Sequence, residues 1–378
     1  MALFSRHPRA RWAAPVLAAA LTVAGVATAQ VSAGGQSDLA PRSAHDLLTS
    51  LQRATPVPSS GTVVQTMDLG LPDLGATGIG GAAGGAAPSP LTLLSGSHTW
   101  RTWYADPTHA RLALVDGSTE VDVVRNGADV WQWSSTDQSV THATVPAREP
   151  APSGGTGALP DAAPGPTGLP DLTNPDAAAT WALRQLDATT DVTSTTTDMV
   201  AGRPAYGLVL TPRTPATLIG SVHLSLDAAT SLPLAVTVLP RGSTVPAVDV
   251  RYTTLTLAAP AASVFAFTPP PGATVTTPTT PGRPASGGGT AADATARPTV
   301  VGSGWSTVVV ATAPATRPST TGGANPLAAL GAVLPRVSGS WGSGHLLRTR
   351  LLSAVLATDG RVAVGAVEPA ALYAALGH

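Results

Sequence analysis

HTWRTWYADPTHARLALVDGSTEVDVVRNGADVWQWSSTDQSVTHATV, residues 98–145, is the stretch whose period decides the fold. It alternates in twos. Trp100, Thr102 and Tyr104 interleave with Thr99, Arg101 and Trp103. Beyond an Asp106-Pro107 turn, Leu112 and Leu114 interleave with Arg111, Ala113 and Val115, and then Val121, Val123 and Arg125 with Glu120, Asp122 and Val124. Asn126-Gly127 supplies the left-handed residues of a tight hairpin, after which Trp131 and Trp133 share one face of the next strand. The stretch is an antiparallel meander that holds four of the chain's eight tryptophans. Its apolar face needs a partner, and that partner is a helix, a second sheet or a ligand.

Outward from the meander, both flanks carry one amphipathic helix. Pro41–Ala54 places Ala44, Leu47, Leu48 and Leu51 at helical spacing, with Ser43 and Asp46 resembling a capping box. Asn174-Pro175-Asp176 opens a second helix over 176–187, with an apolar face of Ala179, Ala182, Leu183 and Leu186. Strands are expected at 61–69, 192–200, 205–211, 221–226, 232–239 and 248–257, with a short closing strand at 264–267. The stretches 71–90, 146–175 and 276–298 are rich in Gly, Ala, Pro and Thr, and read as two flexible insertions and a linker. Residues 299–378 then form a small module: a strand at 305–311, a helix at 325–334 and a hairpin of 346–357 with 361–367. A terminal helix follows at 369–376. Gly342-Ser343-Gly344-His345 reads as a turn, since no helix follows to raise a nucleophile.

Composition narrows the functions. Only 11% of the residues are charged, there is no cysteine, and every basic side chain other than histidine is arginine. Arg6, Arg9 and Arg11 precede an apolar run, Ala13–Ala29, that ends in the small-x-small site Ala27-Thr28-Ala29, the layout of an export signal over residues 1–29. An uncleaved N-terminal membrane anchor is the competing reading. The rest of the chain keeps 18 arginines against 22 acids. That balance gives no electrostatic footprint for nucleic acid. The chain is therefore expected in an extracytoplasmic space, periplasm-like or in the cell envelope.

Several phrases, in order, resemble the LolA-type periplasmic lipoprotein carriers and the related RseB/MucB-type sensors of envelope stress. They are Asp106-Pro107-Thr108-His109-Ala110-Arg111 followed by Asn126-Gly127-Ala128-Asp129-Val130-Trp131, and Val200-Ala201-Gly202-Arg203-Pro204-Ala205-Tyr206 leading into Leu208-Val209-Leu210-Thr211-Pro212. His223-Leu224-Ser225-Leu226-Asp227, Thr230-Ser231-Leu232-Pro233-Leu234 and Phe265-Ala266-Phe267-Thr268-Pro269-Pro270 continue the series. The resemblance covers roughly residues 40–275. It implies an open, curved antiparallel β half-barrel with the helices 43–54 and 176–187 over its concave face; with the small C-terminal α/β module, which lies outside the resemblance, the expected fold is α+β. The arginine that latches the lid in such carriers falls on Asp106, and a carboxylate cannot donate the hydrogen bonds of a guanidinium.

The candidate apolar cavity is lined by Trp100, Trp103, Tyr104, Leu112, Leu114, Trp131, Trp133 and Leu224, with Leu47, Leu48, Leu51, Leu183 and Leu186 as its lid and Asp106 at the latch position. The competing reading packs the tryptophans as ordinary core beneath the two helices. An acyl chain of about 16 carbons has on the order of 12 kcal/mol at stake on leaving a bilayer, so only an enclosed apolar groove could offset it. Arg101 and Arg111 are either solvated strand residues or partners for a lipid head group. His98, His109, His142, His223 and His345 are scattered without metal-ligand spacing, and no nucleophile elbow or phosphate loop is present. No metal, cofactor or catalytic set is expected. Three functions stay open: a carrier or chaperone for lipids or lipoprotein acyl chains, a sensor that binds a lipidic signal and contacts an anti-sigma or other membrane protein, and a hydrolase of unknown type. The oligomeric state is not legible.

Overall fold

The computed structural model describes residues 39–71, 92–117, 119–144, 188–277, 298–312 and 334–377. The export segment 1–29, the helix expected at 176–187 and nearly all of the three low-complexity stretches lie outside them. So does the helix expected at 325–334, apart from Leu334.

Twelve strands form the first sheet. They are β1 (Ser59–Asp68), β2 (Ser95–Asp106), β3 (His109–Asp116), β4 (Thr119–Asn126), β5 (Asp129–Ser134), β6 (Ser139–Thr144), β7 (Thr190–Val200), β8 (Arg203–Pro212), β9 (Ile219–Asp227), β10 (Pro233–Pro240), β11 (Val248–Thr256) and β12 (Thr274–Thr276). Their order is β12-β6-β5-β4-β3-β2-β1-β11-β10-β9-β8-β7, so β1 sits centrally between two meanders and the sheet is open at both ends. The pairing is antiparallel except where β12 lies parallel to β6. Tight turns set the register: Gly127 at φ 64 and Gly202 at φ 71 occupy the left-handed region that hairpins demand.

One helix, α1 (Ala44–Arg53), covers part of one face. Its N-terminus is capped as its sequence specifies: Asp46 N donates to Ser43 Oγ (3.1 Å) and Ser43 Oγ to Asp46 Oδ2 (2.7 Å). Leu47 and Leu48 join Val63, Leu208, Leu226, Leu234 and Val250 in one buried cluster. Each such side chain contributes roughly 1.5–3 kcal/mol on burial. Polar tethers fix the approach to the helix: Tyr206 Oη donates to Ala40 O (2.9 Å) and Ser194 Oγ to Arg42 O (2.8 Å).

The closing strand expected at 264–267 is instead a short 3-10 turn, Ala262–Phe265, with Phe265 buried. Pro260 stands before the run and Pro269, Pro270 and Pro271 after it, so the run is too short to pair. Phe265 therefore packs on the meander, and β12 takes the edge of β6.

The second sheet contains β13 (Thr299–Val301), β14 (Val308–Thr312), β15 (Arg336–Gly339), β16 (Gly342–Arg348), β17 (Ser353–Ala357) and β18 (Arg361–Gly365), in the order β13-β14-β18-β17-β16-β15. The helix α2 (Pro369–Leu376) packs on it, burying Leu372 and Leu376 with Val355 and Val367. Two expectations shift here. The run 346–357 is broken because Thr349 Oγ1 accepts from the backbone N–H groups of Leu351 and Leu352, a side-chain turn that competes with the strand. The expected turn at 342–345 falls instead at residues 340–341, and Gly342 begins β16.

The two sheets are docked. Leu218 N donates to Ala366 O (2.8 Å), Arg350 N to Leu69 O (2.8 Å) and Trp305 Nε1 to Thr190 Oγ1 (2.8 Å). Leu351 enters the core of the first sheet.

Candidate ligand-binding face of the sheet

Cross-strand register assigns every candidate to a face, because residues directly opposite project to the same side. Val63 on β1 pairs with Trp100 and with Tyr252. Trp100 pairs with Leu114, and Leu114 with Val121. In the next row Thr102 pairs with Leu112, and Leu112 with Val123. On the other side Val250 pairs with Val236, Val236 with Leu224, and Leu224 with Leu208. Trp100, Tyr104, Leu112, Leu114 and Leu224 therefore share one face, which we call the inner face. It is also the face on which α1 packs.

Trp103, Trp131 and Trp133 lie on the opposite, outer face. Trp103 pairs with Arg111, Arg111 with Val124, and Val124 with Trp131. The eight expected lining residues are thus divided five and three. Trp100 and Trp103 are three positions apart, which in a strand means opposite sides.

Burial grades along the inner face. Val63 and Leu208 are 0% exposed and Leu114 is 3% exposed, whereas Val123 on β4 is 38% exposed. Trp100, Tyr104, Leu112 and Val121 are half-buried between these extremes. The main strand contacts of α1 are with β7 and β8, so Leu47 and Leu48 are core of that end, with Leu51 packed against it. Leu183 and Leu186 lie outside the described residues. At the buried centre of the sheet, Trp100 Nε1 donates to Gln65 Oε1 (3.2 Å) and Gln65 Nε2 to Leu93 O (2.7 Å), which fixes the indole. Burial pushes the Tyr252 phenol up, against a smaller opposing hydrogen bond with Thr102.

The outer face of the meander is engaged internally. Arg111 Nη2 donates to Asp122 Oδ2 (2.6 Å), and its guanidinium stands 5.3 Å over the Trp103 ring. Arg111 is thus held in an ion pair and over an indole, with its side chain partly exposed. Trp131 stacks on His142 at 3.8 Å, and His142 Nε2 lies 2.7 Å from Asp129 Oδ1. Phe267 adds a tilted contact to Trp131 at 5.6 Å. Arg101 is exposed on this face.

Asp106 closes the β2–β3 turn. It accepts from Thr108 Oγ1 (2.6 Å) and Thr108 N (2.7 Å), and lies 2.8 Å from His109 Nδ1. The Thr108 donors, with His109, hold its carboxyl down at about 2. In the other meander, burial would raise the Asp227 carboxyl, but the Arg203 and Thr230 donors outweigh it and hold it below its usual range. Arg203 from the Gly-Arg-Pro phrase grips Asp227 at 2.6 and 3.1 Å, a structural role. His98, His223 and His345 each hydrogen-bond locally, to Ser95, Ser221 and Leu334. Among the described residues no group of three or more His, Cys, Asp or Glu could hold a metal ion. No helix among them is long and apolar enough to cross a membrane.

Sequence reasoning missed Val121 and Val123 as members of the open strip, and the buried Gln65 that holds Trp100 beside it. The parity that pairs Val121 with Leu114 and Val123 with Leu112 was the available signal.

No protein-family model matches the chain, and no curated protein sequence does. The solved structures similar to it include the Pseudomonas aeruginosa MucA/MucB complex, at 18% identity over 88% of this chain and 96% of that one, TM-score 0.42. A LolA-superfamily protein from Nitrosomonas europaea matches at 9% identity over 60% of this chain and 99% of its own, TM-score 0.22. An uncharacterized conserved protein from Thermus thermophilus matches at 10% identity, covering 62% and 99%, TM-score 0.32. No residue role passes from these proteins to this chain.

Proposed function

We propose that this chain is an exported binding protein that holds an acylated ligand, the acyl chains of a lipid or lipoprotein, and serves as an envelope carrier or chaperone. The observation behind this reading is the graded inner face: an apolar strip continuous with the sealed core that opens at Leu112, Val121 and Val123. An acyl chain laid along Trp100, Tyr104 and Leu112 would extend the core outward, at roughly 0.8 kcal/mol per buried methylene. Leu114 lies where the strip meets the core, and Leu224 packs on that core from β9. In this reading the sheet is a half-barrel, residues 40–275 form the binding domain, and the 176–187 helix with Leu183 and Leu186 is the movable cover. Trp103, Trp131 and Trp133 belong to the other face and are left out of the groove. Asp106 is a turn residue, so any opening motion proceeds without the carrier latch.

The docked second sheet supports a sensor as the second reading. Because its backbone is bonded to the first sheet, a ligand that shifts the inner face could alter how a membrane-protein partner is held there, through a coupling of roughly 1–3 kcal/mol.

The test is protein isolated from its own envelope and weighed by native mass spectrometry. We expect added mass that extracts as acylated lipid, lost in Leu112→Asp and Val123→Asp while both keep their strand circular dichroism. Transfer of that lipid to acceptor vesicles selects the carrier. Ligand-free protein with no affinity for acyl chains removes both readings.

A further inference from the structure

We propose that the cleft between the two sheets is a binding site for a phosphoryl group, distinct from the apolar strip. The cleft has a volume of about 590 Å³ and opens where the β8–β9 and β10–β11 connections meet the second sheet. Three guanidiniums line it, those of Arg241, Arg348 and Arg350, against one lining carboxylate, Glu368.

Each guanidinium is committed differently. Arg350 is used structurally: it bonds Asp68, Ser243 Oγ (3.1 Å) and Val245 O (3.0 Å), joining the sheets. Arg348 gives Nη2 to both Glu368 oxygens (3.1 and 2.9 Å), a pair that is more than half exposed and so weakly held. Arg241 meets no carboxylate among the described residues. Its Nε donates to Thr217 O (2.8 Å), and its Nη2 to Thr214 O (2.8 Å) and Ile219 O (3.3 Å). These neutral carbonyls fix the exposed side chain without an ion-pair partner, and Nη1 has no acceptor among the described residues. A cation already immobilised at a concave site loses little further entropy on meeting an anion.

The geometry favours a tetrahedral oxyanion. Planar carboxylates here are satisfied by a single guanidinium, as Glu368 is by Arg348. The donors left over are Nη1 of Arg241 and the remaining N–H groups of Arg348, on different sides of the cleft. A phosphoryl group has three oxygens to share between them and enough charge to draw Arg348 partly from Glu368.

The test titrates the full chain with glycerol 3-phosphate in one arm and with phosphatidic acid vesicles in the other, with phosphatidylcholine vesicles as control. We expect saturable binding that weakens with added salt, falls about tenfold in Arg348→Gln and in Arg241→Gln, and strengthens in Glu368→Gln. The tighter arm assigns the source, soluble phosphomonoester or lipid head group. Arg241 also ties three backbone carbonyls, so its variant is scored only if its melting is cooperative. Arg348→Gln, at an exposed side chain, keeps the test decisive. Binding in neither arm, or binding unchanged in Arg348→Gln, overturns the proposal. Neither result touches the acyl-chain reading, which the inner-face variants test separately.

Discussion

The two halves of the first sheet have the same strand pattern and opposite covering. In the β7–β11 half, α1 lies on the inner face, and Leu208, Leu226, Leu234 and Val250 are sealed beneath it. In the β2–β6 half it is the outer face that is covered, by the Ala262–Phe265 turn and Phe267, while the inner face opens at Val123. One half is a hydrophobic core; the other presents its apolar residues to whatever next lies against them. Alternation alone is thus silent on which side of a strand will be filled.

This contrast can be broken most directly by truncating matched residues. Leu208→Ala should cost about 3–5 kcal/mol in chemical denaturation, because it empties a fully buried site. Leu112→Ala on the half-buried strip should cost about 1 kcal/mol or less. Equal losses would mean that the meander's inner face is as sealed as the other half, and the binding reading would lose its basis.

A second test compares the buried ion pairs, one in each half. Asp227→Ala should lower stability by about 2–4 kcal/mol, leaving Arg203 without its carboxylate. Asp122→Ala should fall in the same range, about 2–3 kcal/mol, with Arg111 still resting on Trp103. A negligible loss for Asp122→Ala alone would show the meander tolerating an unpaired arginine, sharpening the difference between the halves.

Smaller effects belong to the rims. His142→Ala should cost roughly 0.5–1.5 kcal/mol through the lost stack on Trp131. The smallest concerns acid. The Asp106 carboxyl is depressed in the fold from its ordinary 3.8 to about 2. Its contribution to the β2–β3 turn is therefore complete above the ordinary carboxylate value and fades as pH falls through about 2. Carbon-detected NMR titration should place the Asp106 midpoint near that value, and Thr108→Ala should move it upward.

Much of this was legible in the chain. Most period-two runs marked strands, Gly127 marked a hairpin although Asn126, expected beside it in the left-handed region, is the last residue of β4, and Ser43 with Asp46 marked the start of α1, because each depends on neighbours within a few residues. Parity also sets Trp100 and Trp103 on opposite faces, which a single cavity lined by both would contradict. Tertiary structure decided what no local pattern encodes, namely which face receives a cover. Tyr206 meets Ala40 across 166 positions and Arg111 meets Val264 across 153. A strand's alternation states only that two faces differ; burial is settled by whichever distant segment arrives, and that arrival is a property of the whole chain's packing.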